Sequence, residues 1–160
     1  MMRKNLARYA LLVALAMALS WLESMIPLPG LLPGMKVGLA NLVVVFALYR
    51  MSPRDAASIS LVRVLLASAA FGSAYSFAYS LVGAALSLAV MAGLKKLDQF
   101  SIVGVSAAGG VCHNIGQLLV AAAVLETVRL GWYLPVLLAS GTLTGAAIGA
   151  AGGIVVERVK

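Results

Sequence analysis

Long apolar runs alternate along the chain with short segments that are polar or rich in proline and glycine. About twenty apolar residues form a helix long enough to cross roughly 30 Å of hydrocarbon, because each residue adds about 1.5 Å. The runs predict six α-helices, at about residues 6–26, 36–50, 53–71, 75–94, 102–125 and 132–156. The second is short for a full span. The pattern therefore predicts one all-α membrane domain over residues 1–160.

The breaks between the runs contain typical loop and cap residues. Prolines and glycines between residues 27 and 35 prevent a regular helix, so this segment is predicted to be a loop. Ser52-Pro53-Arg54-Asp55 is typical of a helix start, with Ser52 as the N-cap, Pro53 in the first turn and Asp55 at the capping-box position. The remaining breaks lie at residues 72–73, 95–98 and 126–131.

Composition supports the membrane assignment. The chain is 62% hydrophobic and 11% charged, with a mean hydropathy of +1.04, whereas a soluble domain is about half apolar and about a quarter charged. The N-terminal run resembles a signal peptide but is about twenty residues long and lacks a clear small-residue cleavage site, so a retained first helix is predicted. The single cysteine cannot form an internal disulfide.

The positions of the charges test the predicted helix count. With six helices, one side of the membrane has only Lys36 and Arg129, while Arg63 lies inside the third helix. The other side receives Arg3, Lys4, Arg8, Arg50, Arg54, Lys95, Lys96, Arg158 and Lys160. This asymmetry follows the positive-inside rule and predicts cytoplasmic termini. Because the basic residues sit at helix ends, the net charge of +7 does not indicate nucleic-acid binding.

A polar group interrupts the fifth apolar run between Gly109 and Gln117. His113 and Gln117 are four residues apart and Asn114 and Gln117 three apart, so on a helix they lean toward one side. Polar side chains are costly within hydrocarbon and usually face the bundle interior or a cavity. The remaining helices are therefore predicted to form a pocket around this one.

Seven polar residues are predicted to form a substrate-binding site in the middle and outer half of the bundle. They are Glu23, Lys36, Asn41, Arg63, His113, Asn114 and Gln117. The proline- and glycine-rich loop lies directly above this region, where it could serve as a lid.

Structural roles for these residues remain alternatives. Arg63 could snorkel or bind a carbonyl, but its fixed charge and planar geometry suit a carboxylate or phosphate ligand. Lys36 could lie at the membrane interface, and Glu23 could be a structural partner of Lys36 or Arg63. Asn41 and Asn114 could form hydrogen bonds between helices.

Two stripes of small residues follow a four-residue spacing. They are Ala10, Ala14 and Ala18 on the first helix and Gly141, Gly145, Gly149 and Gly153 on the sixth. Small residues at this spacing allow helices to approach closely. Each stripe is predicted either to pack inside the bundle or to dock another membrane protein.

Enzyme motifs are not found in the sequence. There is no Walker loop and no plausible Ser/His/Asp set. The only aspartates are Asp55 and Asp98, so the clustered carboxylates required for magnesium-assisted diphosphate chemistry are missing. His113 has no second histidine or thiolate cluster nearby in sequence, which argues against a metal site. No catalytic residue, metal or cofactor is predicted.

Three segments resemble the Gx transporter family of small bacterial membrane proteins, also labelled heptaprenyl diphosphate synthase component I. They are Pro33-Gly34-Met35-Lys36-Val37-Gly38-Leu39-Ala40-Asn41, Arg63-Val64-Leu65-Leu66 and His113-Asn114-Ile115-Gly116-Gln117-Leu118. The resemblance covers nearly the whole chain. The family in turn is similar to the substrate-binding S-components of energy-coupling-factor (ECF) vitamin transporters.

This resemblance implies a six-helix bundle with cytoplasmic termini in the bacterial inner membrane, an outward-facing pocket and a gating first loop. It implies uptake of a small organic solute, which the charges predict to be anionic or zwitterionic. Ala10, Ala14 and Ala18 match the alanine stripe with which S-components dock on a transmembrane coupling subunit, whose ATPase subunits supply energy. The alternatives are a non-catalytic membrane subunit beside a soluble prenyl diphosphate synthase chain and, less supported, a membrane partner in flavin or quinone electron transfer.

Overall fold

A computed structural model describes residues 2–25 and 38–159, with side chains from Leu6 onward. Six α-helices make up almost all of this part: α1 (Met2–Ser24), α2 (Asn41–Arg50), α3 (Pro53–Phe71), α4 (Ala74–Leu97), α5 (Ile102–Val124) and α6 (Leu134–Arg158). A short 3₁₀ helix, Val128–Tyr133, precedes α6. The predicted all-α class is confirmed for the described residues. The predicted lid loop and Lys36 lie outside them.

Serine side chains cap three of the helix starts. Ser52 Oγ accepts a hydrogen bond from the Asp55 N–H at 3.2 Å, as its position before Pro53 predicts. Ser73 caps α4 and Ser101 caps α5 by accepting the N–H three residues ahead. These bonds satisfy N–H groups that have no partner within the helix, which explains why α3, α4 and α5 begin at these positions.

Within the described residues, four helical segments are long and apolar enough to cross a membrane: Leu6–Ser24, Ala74–Leu97, Ile102–Val124 and Val128–Arg158. The chain is therefore a multi-pass membrane protein. Six membrane helices are predicted, of which the second is short for a full span, and all six are present as helices although two of them are not among these four segments. α2 has only 10 residues, which is about 15 Å of helix, and α3 contains Arg54, Asp55 and Arg63 within its 19 residues.

The short helix α2 lies at the centre of the bundle. Its residues from Val43 to Leu48 are all buried, and every other helix contributes to the core around it. A helix that is buried over most of its surface must be apolar on most of its sides. This condition explains the unbroken Leu42–Leu48 run, and Asn41, at the start of the helix, is partly buried.

The glycine stripe of α6 packs inside the bundle. Gly141, Gly145 and Gly149 are buried against α5, and a Cβ atom added to Gly145 would lie 2.6 Å from the Ser106 carbonyl oxygen. Gly153 lies at the rim, where an added Cβ would meet only Ile102 Cδ1 at 4.0 Å. Close approach of the two backbones therefore requires glycine at the buried positions.

Three long-range hydrogen bonds define one end of the bundle. Tyr9 OH donates to the Asp55 carboxylate, Arg50 Nη2 donates to the Val159 carbonyl, and Lys95 Nζ donates to the Leu48 carbonyl at 2.5 Å. The starts of α1 and α3 thus lie beside the ends of α2, α4 and α6. Described basic residues at this end are Arg8, Arg50, Arg54, Lys95, Lys96 and Arg158, as the charge asymmetry predicts.

Candidate functional site

Two polar groups meet at Asn41, the first residue of α2. We call Glu23, Gly38, Asn41 and Arg63 the arginine cluster. We call the space bounded mainly by α4, α5 and α6, with Gly38 and Asn41 at its edge, the central cavity. Residues from three motifs that are far apart in the sequence therefore lie close together. Asn41 of α2 contacts Arg63 of α3, and it lines the cavity together with His113 of α5.

Gly38 turns the chain into α2 and connects it to α1. Its backbone is in the left-handed region, with φ at +84°, where side chains other than glycine are strained. The Gly38 N–H donates to the Glu23 carboxylate, and its carbonyl accepts from the Asn41 N–H at 2.8 Å. Glu23, only 8% exposed, therefore fixes the start of α2 from the neighbouring helix.

We expect the Gly38→Ala variant to lose about 1–2 kcal/mol of stability, because an L-residue is strained in this backbone region. Unfolding of the purified protein in detergent, followed by circular dichroism against temperature, measures the loss. Gly131→Ala is the matched control, since a Cβ added there meets no atom within 4 Å. Equal midpoints for the two variants would show that the Gly38 turn does not limit stability.

Arg63 is a charged residue buried within α3. It is 7% exposed, and its Nη2 donates to Asn41 Oδ1 at 3.5 Å, the long limit for a hydrogen bond. The Glu23 carboxylate stabilises the guanidinium charge electrostatically. Arg63 Nε has no hydrogen-bond acceptor among the residues that the structure describes. A buried guanidinium with an unused donor and one weak bond is suited to an additional anionic partner.

The central cavity has a volume of about 30 Å³, far below the roughly 300–1,000 Å³ of a typical small-molecule site. Asn41, His113 and Asn114 line it, as the sequence predicts for an interior polar site. The other lining residues are Gly38, Ser87, Met91, Ser106, Gly110, Thr144, Gly145 and Ile148. Amide, hydroxyl and imidazole groups give this cavity both donors and acceptors but no carboxylate.

Asn114 connects α5 to α6. Its side chain is 7% exposed, and Nδ2 donates to the Leu137 carbonyl at 2.8 Å and to Ser140 Oγ at 3.3 Å. The predicted alternative of a hydrogen bond between helices is therefore realised, and the same residue lines the cavity. Its amide group holds the cavity wall in place.

The Asn114→Ala variant should lose about 1 kcal/mol of stability, because hydrogen bonds between membrane helices contribute about 0.6 kcal/mol on average and up to about 1.7. Equilibrium unfolding of the protein in mixed micelles measures this loss of stability. Thr142→Ala serves as the control, since Thr142 Oγ1 donates only within α6, to the Leu138 carbonyl. If the Asn114→Ala variant unfolds at the same midpoint as the wild type, Asn114 does not have this stabilising role.

The remaining predicted site residues are placed differently. Gln117 lies on α5 against Gly83 of α4, where a Cβ on Gly83 would meet His113 Cε1 at 3.1 Å and Gln117 Cγ at 3.2 Å. Gln117 does not line the central cavity. The alanines of the α1 stripe are exposed, whereas Leu12 and Ala16 face inward.

The hydroxyl groups that line the cavity are not among the site residues predicted from the sequence. Ser87 of α4 and Ser106 of α5 are buried, and Thr144 of α6 faces them across the cavity. A signal was available: Ser80, Gly83, Ser87 and Met91 are the buried residues of α4, and they recur at three- and four-residue spacing. In an otherwise apolar helix, this spacing indicates a polar face that is turned inward.

Comparison with known families supports the resemblance read from the motifs. A family model described as heptaprenyl diphosphate synthase component I matches residues 12–155, which include both polar groups. The chain belongs to this family. No curated protein and no solved structure matches the chain. The component I assignment is therefore confirmed, whereas the likeness to ECF S-components stays a prediction.

Proposed function

We propose that this component I protein binds a small organic anion within the membrane, as the substrate-binding subunit of an uptake system. The observation that carries the proposal is the buried Arg63, with its long bond to Asn41 and its unused Nε donor. An intramembrane arginine is costly and usually marks a functional site. A carboxylate or phosphate could accept two parallel hydrogen bonds from the guanidinium.

In this proposal the anion replaces the Asn41 amide as the partner of Arg63. The central cavity, at about 30 Å³, is too small for an organic solute. Binding therefore requires Asn41 and Arg63 to separate, which a 3.5 Å bond resists only weakly. His113 and the hydroxyl groups would then bind neutral parts of the solute. Glu23 is better suited to anchoring Gly38 than to contacting a ligand, and Lys36 is proposed as a second cation.

Energy for uptake would come from partner subunits, because the sequence has no nucleotide-binding loop. The exposed alanine face of α1, formed by Ala10, Ala14 and Ala18, is proposed to dock on an ECF-type transmembrane coupling subunit that carries ATPase subunits. The termini would be cytoplasmic and the membrane the bacterial inner membrane.

A second candidate function rests on the family description. Component I would be a non-catalytic membrane subunit beside a soluble prenyl diphosphate synthase chain, and that chain would carry the aspartate-rich motifs missing here. This candidate predicts that the two chains co-purify and that prenyl diphosphate production in the cell depends on both.

Native mass spectrometry of the protein released from detergent after expression in rich medium tests the two candidates. Uptake predicts a bound small molecule that is retained by the wild type and lost when Arg63 is replaced. The subunit candidate predicts an empty protein that co-purifies with a soluble prenyl synthase. Retention of a small molecule that is independent of Arg63 would contradict the proposed site.

A further inference from the structure

A second, larger cavity shares no lining residue with the central cavity. It is a groove of about 490 Å³ between α1, α2 and α6. The groove exists because α2 is short: a 10-residue helix does not fill the space between the longer helices α1 and α6. We call it the α1–α6 groove.

The groove is polar at one end only. Its walls include Leu11, Leu12 and Leu15 of α1 and Phe46 of α2, while Arg8 and Arg50 also line it. Both arginines are exposed at the end of the bundle that holds most of the basic residues. Along α1, Arg8 and Leu15 are seven residues apart, or about 10 Å. The groove therefore runs from a cationic mouth into an apolar channel.

The positive charge at the mouth is only partly compensated. Arg50 Nη2 donates to the Val159 carbonyl, which satisfies a C-terminal carbonyl of α6 and orients the guanidinium without cancelling its charge. Asp55 lies near Arg8, but its carboxylate accepts the hydrogen bond from Tyr9 OH. The two arginines and the one carboxylate together leave a net positive charge at the mouth of the groove.

We infer that the α1–α6 groove binds an anionic phospholipid of the cytoplasmic leaflet. The phosphate would lie between Arg8 and Arg50, and an acyl chain would follow the leucines and Phe46. An anionic headgroup matches the charge at the mouth, and a chain matches the apolar walls. A zwitterionic lipid carries its own cation and lacks this match.

This inference does not rest on the proposed anion site, because the groove shares no lining residue with the central cavity and does not include Arg63. Leu11 and Leu15 line the groove, and Ala10, Ala14 and Ala18 do not. Ala14 and Ala18 follow these leucines by three residues, so the alanine stripe borders the groove on α1. A bound lipid would join α1 to α6.

The test is native mass spectrometry of the delipidated full-length protein titrated with phosphatidylglycerol or phosphatidylcholine. We expect one tightly bound phosphatidylglycerol. The Arg8→Gln/Arg50→Gln variant should bind it about 30-fold more weakly, at about fivefold for each arginine near an anionic headgroup. Arg54→Gln/Arg158→Gln is the matched control, because both arginines are exposed at the same end but do not line the groove.

A second pair of variants tests the channel. Val155 lines the groove and Ile154, next to it on α6, does not, so Val155→Trp should displace the lipid and Ile154→Trp should retain it. Equal weakening by both arginine pairs would show general attraction to the basic surface and overturn the inference. Equal retention of the two lipids, or a dimer without lipid, would overturn it as well.

Discussion

Arg63→Gln should reduce binding of the retained anion by at least about 30-fold, because truncating one partner of a buried charged pair costs about 2–5 kcal/mol. The amide keeps some hydrogen-bonding capacity but removes the charge and the paired donors. Native mass spectrometry detects the loss first. Isothermal titration with the identified ligand then measures the dissociation constant.

Matched variants separate this binding effect from a loss of structure. Arg54→Gln removes a charge from the exposed start of the same helix and should bind normally. Arg63→Lys keeps the charge but loses the planar pair of donors, so it should bind more weakly than wild type if the ligand accepts two hydrogen bonds. Wild-type affinity in Arg63→Gln would remove Arg63 from the site.

Stability of the same variants shows whether the arginine is also structural. Removing Arg63 takes away the positive charge that acts electrostatically on the buried Glu23 carboxylate, and a buried charge that loses its compensation is destabilising. The Glu23→Gln/Arg63→Gln double variant should therefore be more stable than Arg63→Gln. If the double variant regains stability but still fails to bind, the contact with the anion is separate from the role in folding.

The Gly145→Ala variant should be less stable by about 1–3 kcal/mol, the usual cost of overpacking an interior. The added Cβ would lie 2.6 Å from the Ser106 carbonyl oxygen and 2.8 Å from Ala107 Cα. Both are backbone atoms, so α5 and α6 must separate to make room. Because the two helices form a wall of the central cavity, ligand binding should weaken as well.

Gly153→Ala is the matched control on the same stripe. The added Cβ meets only Ile102 Cδ1, at 4.0 Å. In a helix, alanine is more favourable than glycine by about 1 kcal/mol of folding free energy. We expect Gly153→Ala to unfold at the wild-type temperature or slightly above it. Equal destabilisation by both variants would show that the stripe acts outside the bundle.

The helices were largely predictable because the constraint on them is local. A backbone in hydrocarbon must satisfy its own hydrogen bonds, so long apolar runs become helices, and α3 starts and ends at the predicted residues. Ser52 and Pro53 mark a start by capping chemistry alone. The start of α2 was predicted less well. The apolar pattern predicts a helix from about residue 36, but the described helix begins at Asn41, after the left-handed Gly38.

The polar site was only partly predictable because its contacts join distant segments. Because polar groups are costly in the membrane, Arg63, Asn41, His113 and Asn114 could be predicted to lie in the interior. The same argument does not predict which residues they contact. Ser87, Ser106 and Thr144 escaped notice because a hydroxyl can bond within its own helix, as Thr144 does to the Ser140 carbonyl.

The sequence by itself determined that this is a multi-pass α-helical membrane protein with one basic end and an interior arginine. Hydropathy, helix period and charge position are properties of single segments, and these were sufficient. Only the tertiary structure decided that Val43–Leu48 of α2 are buried in the core, that Arg63 meets Asn41 and that a cationic groove opens between α1 and α6. Those features depend on which helices pack together, and close approach at glycines such as Gly145 fixes that arrangement.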